Sequence, residues 1–143
     1  MTTTTATVLE FEPAAAPEVR SGVVPYLNVA DAAAAAEFYK QAFGAEEVAR
    51  MPAPGSDKIC HLHLYVNGGS VMLSDPFPEH GCPLRQAQGY NLHIQVYDVD
   101  RWYERAVDAG AEVVMPLQLM FWGDRYAQLR DPFGVTWSLG GPN

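Results

Sequence analysis

A repeated arrangement of turns and strands is the feature that most limits how this chain can fold. Near the C-terminus, an Asp-Pro-Phe-Gly turn at residues 131–134 leads into residues 135–139, where apolar and polar side chains alternate. Earlier in the chain, Gly68-Gly69 leads into a similar short segment. The tripeptide Gly-Ala-Glu at residues 44–46 also recurs at residues 110–112. The chain is therefore predicted to contain one structural unit twice.

Each unit is predicted to run strand, helix and then three strands. In the first unit, Asp31 is expected to cap a helix over Ala32–Phe43, because its carboxylate can accept from the first free backbone N–H groups, and Gly44 is expected to end it. Gly68-Gly69 is predicted to form a hairpin turn. The strands of this unit are predicted at residues 23–29, 46–51, 58–67 and 71–74.

The second unit follows the same order after a segment rich in Pro and Gly. Its helix is expected to begin at Asp98 or Asp100 and to end near Ala109. Its strands are predicted at residues 91–97, 112–115, 122–129 and 135–139. This pattern predicts an α+β fold of two tandem βαβββ modules rather than a parallel α/β sheet. The predicted boundaries are a flexible N-terminal arm at 1–20, modules at 21–79 and 90–143, and a linker at 80–89.

Composition excludes some classes of function. The formal net charge of −8 is unsuited to nucleic acid, whose phosphates call for a basic surface, and would suit a cationic ligand. No apolar stretch is long enough to cross a membrane. The N-terminus lacks the features of a signal peptide, so a cytoplasmic location is expected, with Cys60 and Cys82 as reduced thiols.

Several motifs together resemble the vicinal oxygen chelate superfamily, which includes glyoxalase I, extradiol dioxygenases, fosfomycin-resistance enzymes and bleomycin-binding proteins. The resemblance is closest to the PhnB-like branch. It implies paired βαβββ modules whose curved sheets form a cup that holds the ligand, usually completed by a homodimer. The motifs that carry the resemblance are Pro25-Tyr26-Leu27-Asn28-Val29-Ala30-Asp31, Phe43-Gly44-Ala45, Met72-Leu73-Ser74-Asp75, Phe121-Trp122-Gly123-Asp124-Arg125-Tyr126 and Asp131-Pro132-Phe133-Gly134.

Metalloenzymes of this superfamily place four metal ligands in the cup, on the first and fourth strands of each module. The resemblance puts these positions at Val24, Leu73, Asn91 and Ser138. Val and Leu have no donor atom, and an amide or hydroxyl binds divalent ions weakly compared with imidazole or carboxylate. The sequence therefore predicts no metal and no other cofactor.

Polar side chains are predicted to line the cup, and three histidines are among them. One interpretation is that His61, His63 and His93 converge as a displaced metal site. A second is that His61 or His93 acts as a general acid or base. A third is that they are passive lining or recognise the ligand. Alternation assigns these residues to the cup: Tyr26, Asn28, His61, His63, Tyr65, Asn91, His93, Gln95, Thr136 and Ser138.

An aromatic cluster and one arginine complete the candidate ligand-binding set. Trp122 and Tyr126, with Phe121 and Tyr90 nearby, could present flat surfaces to a planar or cationic ligand, or could instead close the cup or the dimer interface. Arg125 could bind an anionic group or form a surface ion pair. Asp75 and Asp98 are interpreted as turn and cap residues before any catalytic role.

The predicted function is that of a small-molecule-binding protein of the bleomycin-resistance type, which holds an organic ligand such as an antibiotic without a metal. The alternative is a lyase, isomerase or other enzyme of the superfamily that uses His61 or His93. A third alternative is a purely structural dimerisation module. The protein is expected to form a homodimer. Neither a nucleic acid nor a membrane is expected as a partner.

Overall fold

The computed structural model describes residues 16–143; of the arm predicted at residues 1–20, residues 1–15 lie outside the described part. Two helices and two four-stranded sheets form the predicted α+β fold of tandem βαβββ modules. The elements are β1 (Tyr26–Asn28), α1 (Ala32–Phe43), β2 (Glu46–Pro52), β3 (Ile59–Val66), β4 (Gly69–Ser74), β5 (Leu92–Gln95), α2 (Val99–Ala109), β6 (Glu112–Leu119), β7 (Asp124–Arg130) and β8 (Thr136–Pro142).

The two sheets have the same topology. Their strand orders are β1-β4-β3-β2 and β5-β8-β7-β6. Each sheet contains one parallel pair, which is β1 with β4 in the first sheet and β5 with β8 in the second. The duplication inferred from the repeated turns is therefore confirmed at the level of strand pairing. No helix within residues 16–143 is long and apolar enough to cross a membrane.

Local sequence accounts for α1. The Asp31 carboxylate accepts a 3.0 Å hydrogen bond from the backbone N–H of Ala34, as predicted for an N-cap. Five consecutive alanines favour the helical conformation. Gly44 ends the helix in the left-handed region at φ 67°, where a residue without Cβ is favoured. The predicted helix bounds are confirmed.

The first hairpin differs from its prediction by one residue. Asn67 and Gly68, at φ 49° and 83°, form the turn, and Gly69 is already the first residue of β4. Positive φ at both central residues is the geometry that suits the twist of a two-residue hairpin, and Asn-Gly is a preferred pair for it. The prediction placed the turn one residue late because Gly68-Gly69 is the more conspicuous pair.

Some strand lengths also differ. Regular pairing in β1 is confined to Tyr26–Asn28, whereas β6 continues to Leu119, well past the predicted Met115. Pro116 is tolerated inside β6 because this strand lies at the sheet edge and contains register shifts. These differences leave the predicted order of elements intact.

The core joins the two halves. Trp137 of β8 packs against Tyr39 and Phe43 of α1, with ring centroids 5.2 and 4.8 Å apart, and all three side chains are buried. Arg105 of α2 also donates a 2.7 Å hydrogen bond to the Gln41 carbonyl near the end of α1. The side of each sheet that faces the helices is therefore covered by apolar packing, and the polar side chains of the strands lie on the opposite side.

Candidate functional site

The polar side of the first sheet, called here the first polar face, carries a row of aromatic rings. We define it by Tyr26, Asn28, His61, His63 and Tyr65. The Tyr26 hydroxyl lies 3.0 Å from Nδ1 of His61. The ring centroids of His61 and His63 are 6.4 Å apart, and those of His63 and Tyr65 are 5.3 Å apart. The intervening Leu62 and Leu64 are fully buried against the helices, so the alternation along β3 separates the two faces as predicted.

His63 is the most enclosed side chain of this row. It is 2% exposed, and its Nε2 lies 2.8 Å from the Ser70 hydroxyl. Burial, followed by the nearby His61 and Arg20, lowers the pKa of His63 because each disfavours a positive charge on the ring. His63 is therefore best suited to a neutral hydrogen-bonding role.

The chain immediately before β1 crosses the first polar face. Tyr65 donates a 2.7 Å hydrogen bond from its hydroxyl to the Glu18 carbonyl, and the Arg20 guanidinium lies 3.7 Å from the centre of the Tyr65 ring. The Arg20 backbone N–H also donates to the Ser70 hydroxyl at 2.8 Å. This contact between residues 18–20 and the sheet was not part of the sequence prediction, because neither hydrophobic periodicity nor a motif marks it.

The second polar face, defined by Asn91, His93, Gln95, Tyr126, Gln128 and Ser138, has a denser hydrogen-bond network. Nδ1 of His93 lies 2.7 Å from the Ser138 hydroxyl, and its Nε2 lies 2.8 Å from Oε1 of Gln95. Since an amide oxygen only accepts, Nε2 carries the proton and Nδ1 accepts from Ser138. Both ring nitrogens of a neutral His93 are thus satisfied by the protein.

Gly140 provides the space for the His93 ring. A Cβ atom at position 140 would lie 2.8 Å from Cε1 of His93 and 3.5 Å from the Tyr126 ring. Any larger residue would therefore push the imidazole away from its observed position.

Tyr126 lies at the centre of this face. Its hydroxyl oxygen accepts hydrogen bonds from the side-chain amides of Asn91 at 3.3 Å and Gln128 at 3.0 Å. Burial opposes ionisation of the phenol, but donation from the side-chain amides of Gln128 and Asn91 outweighs it and lowers the pKa of Tyr126. The site thus favours negative charge at this oxygen.

Two rings flank Tyr126. The His93 ring is stacked on it at 6.0 Å and 18°, and Trp122 meets it edge-on at 5.7 Å and 71°. Phe121, 95% exposed, contacts the outer side of Trp122. The predicted aromatic cluster therefore exists, and Trp122 and Tyr126 are the members that border the second polar face.

Arg125 does not reach that face. Its guanidinium makes a bidentate ion pair with Asp100 in the first turn of α2, at 2.6 and 3.2 Å. Two roles were predicted for Arg125, binding an anionic group or forming a surface ion pair, and the structure shows the ion pair. Asp75 is likewise structural: its carboxylate accepts from the backbone N–H groups of Ala32 and Ile59, both at 2.7 Å.

A cavity adjoins each polar face. The first, of about 520 Å³, is bordered by Tyr26, Asn28 and Ser74, and by Cys60 and Cys82. The second, of about 660 Å³, is bordered on the sheet side by Asn91, Gln128, Arg130 and Thr136. Both volumes are adequate for a small organic molecule.

The residues do not fit the metal site of the superfamily. Leu73 was assigned to one of its positions, but it is fully buried in the core; the residue on the polar side of β4 is Met72, which pairs with Tyr26. The error arose because the two repeats were aligned on Gly69 and Gly134, whereas β4 is one residue out of that register. Val24, Met72, Asn91 and Ser138 together offer neither imidazole nor carboxylate.

The histidines do not form a displaced metal site either. His61 and His63 lie on the first sheet and His93 on the second, and within residues 16–143 no three His, Cys, Asp or Glu side chains are grouped to hold an ion. A hydrogen bond does link the two modules near these faces: the side-chain amide of Asn67, in the β3–β4 turn, donates to the backbone carbonyl of Gln95 in β5 at 3.0 Å.

Comparison with known proteins agrees with the fold and with the resemblance. Residues 21–139 match the family model of the Glyoxalase/Bleomycin resistance protein/Dioxygenase superfamily. An uncharacterized protein of Mycobacterium bovis is 41% identical over 136 residues, which cover 87% of this chain and 85% of the relative.

Two solved structures extend the comparison. TioX from Micromonospora sp. ML1 has a TM-score of 0.69 and 32% identity, covering 86% of this chain and 99% of TioX. A PhnB protein from Bacillus cereus, described as a putative 3-demethylubiquinone-9 3-methyltransferase, has a TM-score of 0.66 and 20% identity, covering 85% of this chain and 99% of that protein. The latter likeness concerns the fold alone.

Proposed function

Because the chain belongs to the glyoxalase/bleomycin resistance protein/dioxygenase superfamily, we propose that it binds a small organic molecule on its polar faces and releases it unchanged, without a metal ion. The observation that carries this proposal is the chemistry of the faces. They consist of phenols, amides, hydroxyls and imidazoles, and the positions used for metal ligands lack imidazole and carboxylate.

His93 supports binding over catalysis. Both of its ring nitrogens already have partners in Ser138 and Gln95, so acting as a base would require one of these hydrogen bonds to break. A fixed neutral imidazole stacked beside Tyr126 is instead suited to recognising a planar ligand.

An antibiotic is the proposed class of ligand, since bleomycin resistance belongs to the description of the family. Bleomycin is cationic and aromatic. The net charge of −8 attracts a cation over long range, and the exposed Trp122 ring provides a surface for stacking.

A homodimer is proposed to complete the cup. Both polar faces of a single chain are open enough to leave Tyr26 and Trp122 about half exposed. The edge strand β6 and the turn after it also expose Val113, Leu119 and Phe121, which a second copy would cover. Size-exclusion chromatography with light scattering tests this proposal, and a purely monomeric protein at micromolar concentration would contradict it.

An enzyme remains the second candidate, and His61 is the observation that favours it. Only Nδ1 of His61 has a protein partner, the Tyr26 hydroxyl, among the residues that the structure describes. Its Nε2 is therefore available to exchange a proton with a ligand bound on the first polar face.

One experiment separates the two functions. Isothermal titration with bleomycin, followed by mass spectrometry of the recovered antibiotic, should give stoichiometric binding and an unaltered mass. His61→Ala and His93→Ala should weaken binding modestly, whereas Tyr97→Phe, a change at a 90% exposed tyrosine outside both faces, should leave it unchanged. A modified product that His61→Ala abolishes while binding persists would establish the enzyme instead. Stoichiometric metal in tag-free protein would contradict the metal-free proposal.

A further inference from the structure

The oxygen of Tyr126 has an unusual hydrogen-bond environment for a phenol. Two side-chain amides, from Asn91 and Gln128, donate to it at 3.3 and 3.0 Å. A neutral phenol has two acceptor positions, and both are then in use. An ionised phenol has a further acceptor position, which would be free for a donor on a ligand.

The rings around Tyr126 also favour a positively charged partner. The face of His93 is stacked on the Tyr126 ring, and Trp122 stands edge-on to it and is 50% exposed. Ring faces attract ammonium groups, most strongly in the case of Trp. The phenol oxygen and the Trp122 ring therefore offer an acceptor and a cation–π surface side by side.

We propose that the second polar face binds a protonated primary amine of the ligand, with the Tyr126 oxygen as hydrogen-bond acceptor and Trp122 as cation–π partner. This inference rests on the proposed function and names the chemical class that the second polar face takes. It assigns Tyr126 a role in specificity.

Charged groups near the second polar face do not oppose the binding of a protonated amine there. On β5, both ring nitrogens of His93 are engaged by Ser138 and Gln95, and β8 contributes only the uncharged Ser138 and Gly140. On β6, the residue opposite Tyr126 is the uncharged Gln118.

Both arginines of β7 are already paired. Arg125 makes its ion pair with Asp100 of α2, on the side away from this face. Arg130 lies further along the strand, and its guanidinium is 3.3 Å from Glu112 of β6. No fixed positive charge in the described part of the chain contacts the Tyr126 oxygen, so a ligand ammonium would find the position open.

The affinity for the amine should depend on pH, because amine binding and ionisation of Tyr126 are thermodynamically coupled. An ammonium group binds the ionised phenol more tightly than the neutral one, so a bound amine must lower the pKa of Tyr126 further. Affinity should rise from neutral pH upward and fall again when the amine loses its own proton.

The first test needs no ligand. The near-ultraviolet absorbance of ionised phenols should show one tyrosine of the wild-type protein titrating before the others. Tyr126→Phe should remove this early step, Gln128→Leu should move it to higher pH, and Tyr97→Phe should leave it unchanged. Coincident titrations of wild type and Tyr126→Phe would overturn the proposal.

The second test uses benzylamine and its neutral counterpart, benzyl alcohol. Benzylamine should move the early phenol step to lower pH, and Tyr126→Phe should weaken its binding about tenfold or more. Benzyl alcohol should do neither. Equal effects of the two compounds, or no effect of benzylamine on the early step, would overturn the amine assignment. Unaltered, stoichiometric binding of bleomycin in the same preparation would leave the proposed function standing, so the two failures are distinguishable.

Discussion

The Tyr39 hydroxyl donates a 2.6 Å hydrogen bond to Oδ2 of Asp131, and this contact ties the helix of the first half to a turn of the second. Trp137 donates to the same oxygen at 2.9 Å, while the backbone N–H groups of Phe133 and Val135 donate to Oδ1. Asp131 is 4% exposed, so water cannot replace these partners. The junction of the repeats therefore depends on one buried carboxylate.

Asp131→Ala should lower the free energy of unfolding by about 3–5 kcal/mol, because it leaves several buried donors without a partner. Tyr39→Phe should cost only about 1–3 kcal/mol, since the carboxylate keeps its other donors. Chemical denaturation measures both, and the double variant should lose less than the sum of the single losses. The control Tyr97→Phe should stay within about 0.5 kcal/mol of the wild type. Equal, small effects at positions 39 and 131 would contradict the assigned role.

The same contact predicts a loss of stability in alkali. Burial, followed by the Asp131 charge and hydrogen bond, raises the pKa of Tyr39 well above its ordinary value. A raised pKa in the folded state means that its stabilising effect is complete below the unfolded pKa of about 10 and is lost as the pH rises further. The unfolding free energy of wild type should therefore fall above this pH, and Tyr39→Phe should show a shallower fall. Parallel curves would contradict the prediction.

His63 should titrate below the ordinary pKa of a histidine, about 6.5. Its pKa is lowered by burial, by His61 and by Arg20. A histidine whose pKa is lower in the folded protein than in the unfolded chain stabilises the fold most above the unfolded pKa of about 6.5. This contribution is lost as the pH falls below that value, because the unfolded chain then takes up the proton more readily. Proton NMR should give the imidazole signal of His63, identified by its absence in His63→Asn, a midpoint below about 6.5. A midpoint at or above this ordinary histidine value would disprove the expectation.

Two adjacent glycines should respond differently to the same substitution. In Gly141→Ala the new Cβ would lie 1.8 Å from the backbone carbonyl of Val96, which cannot move aside, so we expect severe destabilisation or failure to fold. In Gly140→Ala the clash is with the end of the His93 side chain, so the protein should fold.

The functional effect of Gly140→Ala should be specific to the second polar face. His93 should lose its contact with Ser138, visible as a shifted imidazole signal, and bleomycin binding should weaken. Gly22→Ala, where nothing lies within 4 Å of the new Cβ, is the matched control for both glycine variants. A folded, fully stable Gly141→Ala protein would show that the close approach of β8 to Val96 is not required.

Features encoded by neighbouring residues were predictable from the sequence. Asp31 and Gly44 determine the ends of α1 locally, and alternation of Leu62 and Leu64 with the histidines of β3 separates its two faces. The register of the strands was harder to predict from the sequence. Leu73 was assigned to the polar side because period two distinguishes the two faces only after the starting residue of a strand is known.

Contacts between distant segments could not be predicted. Arg20 lies over Tyr65 without any periodic signal, and the donors that converge on the Tyr126 oxygen come from Asn91, just before β5, and from Gln128 of β7. The Asp131 turn was recognised, but its bond to Tyr39 spans the two repeats. Such contacts depend on how the modules pack, which local patterns do not encode.

Residues 18–20 precede the first module, which is predicted to begin at residue 21, but they shape the chemistry of that module's polar face. They supply the backbone donor for Ser70, which in turn holds His63, and a cation that lies over Tyr65. A shortened protein that starts at the repeat, after Arg20, would hydrate this imidazole and make it more basic. Trimming the N-terminus for crystallisation would thereby change the ligand chemistry of the first polar face while leaving every strand and helix in place.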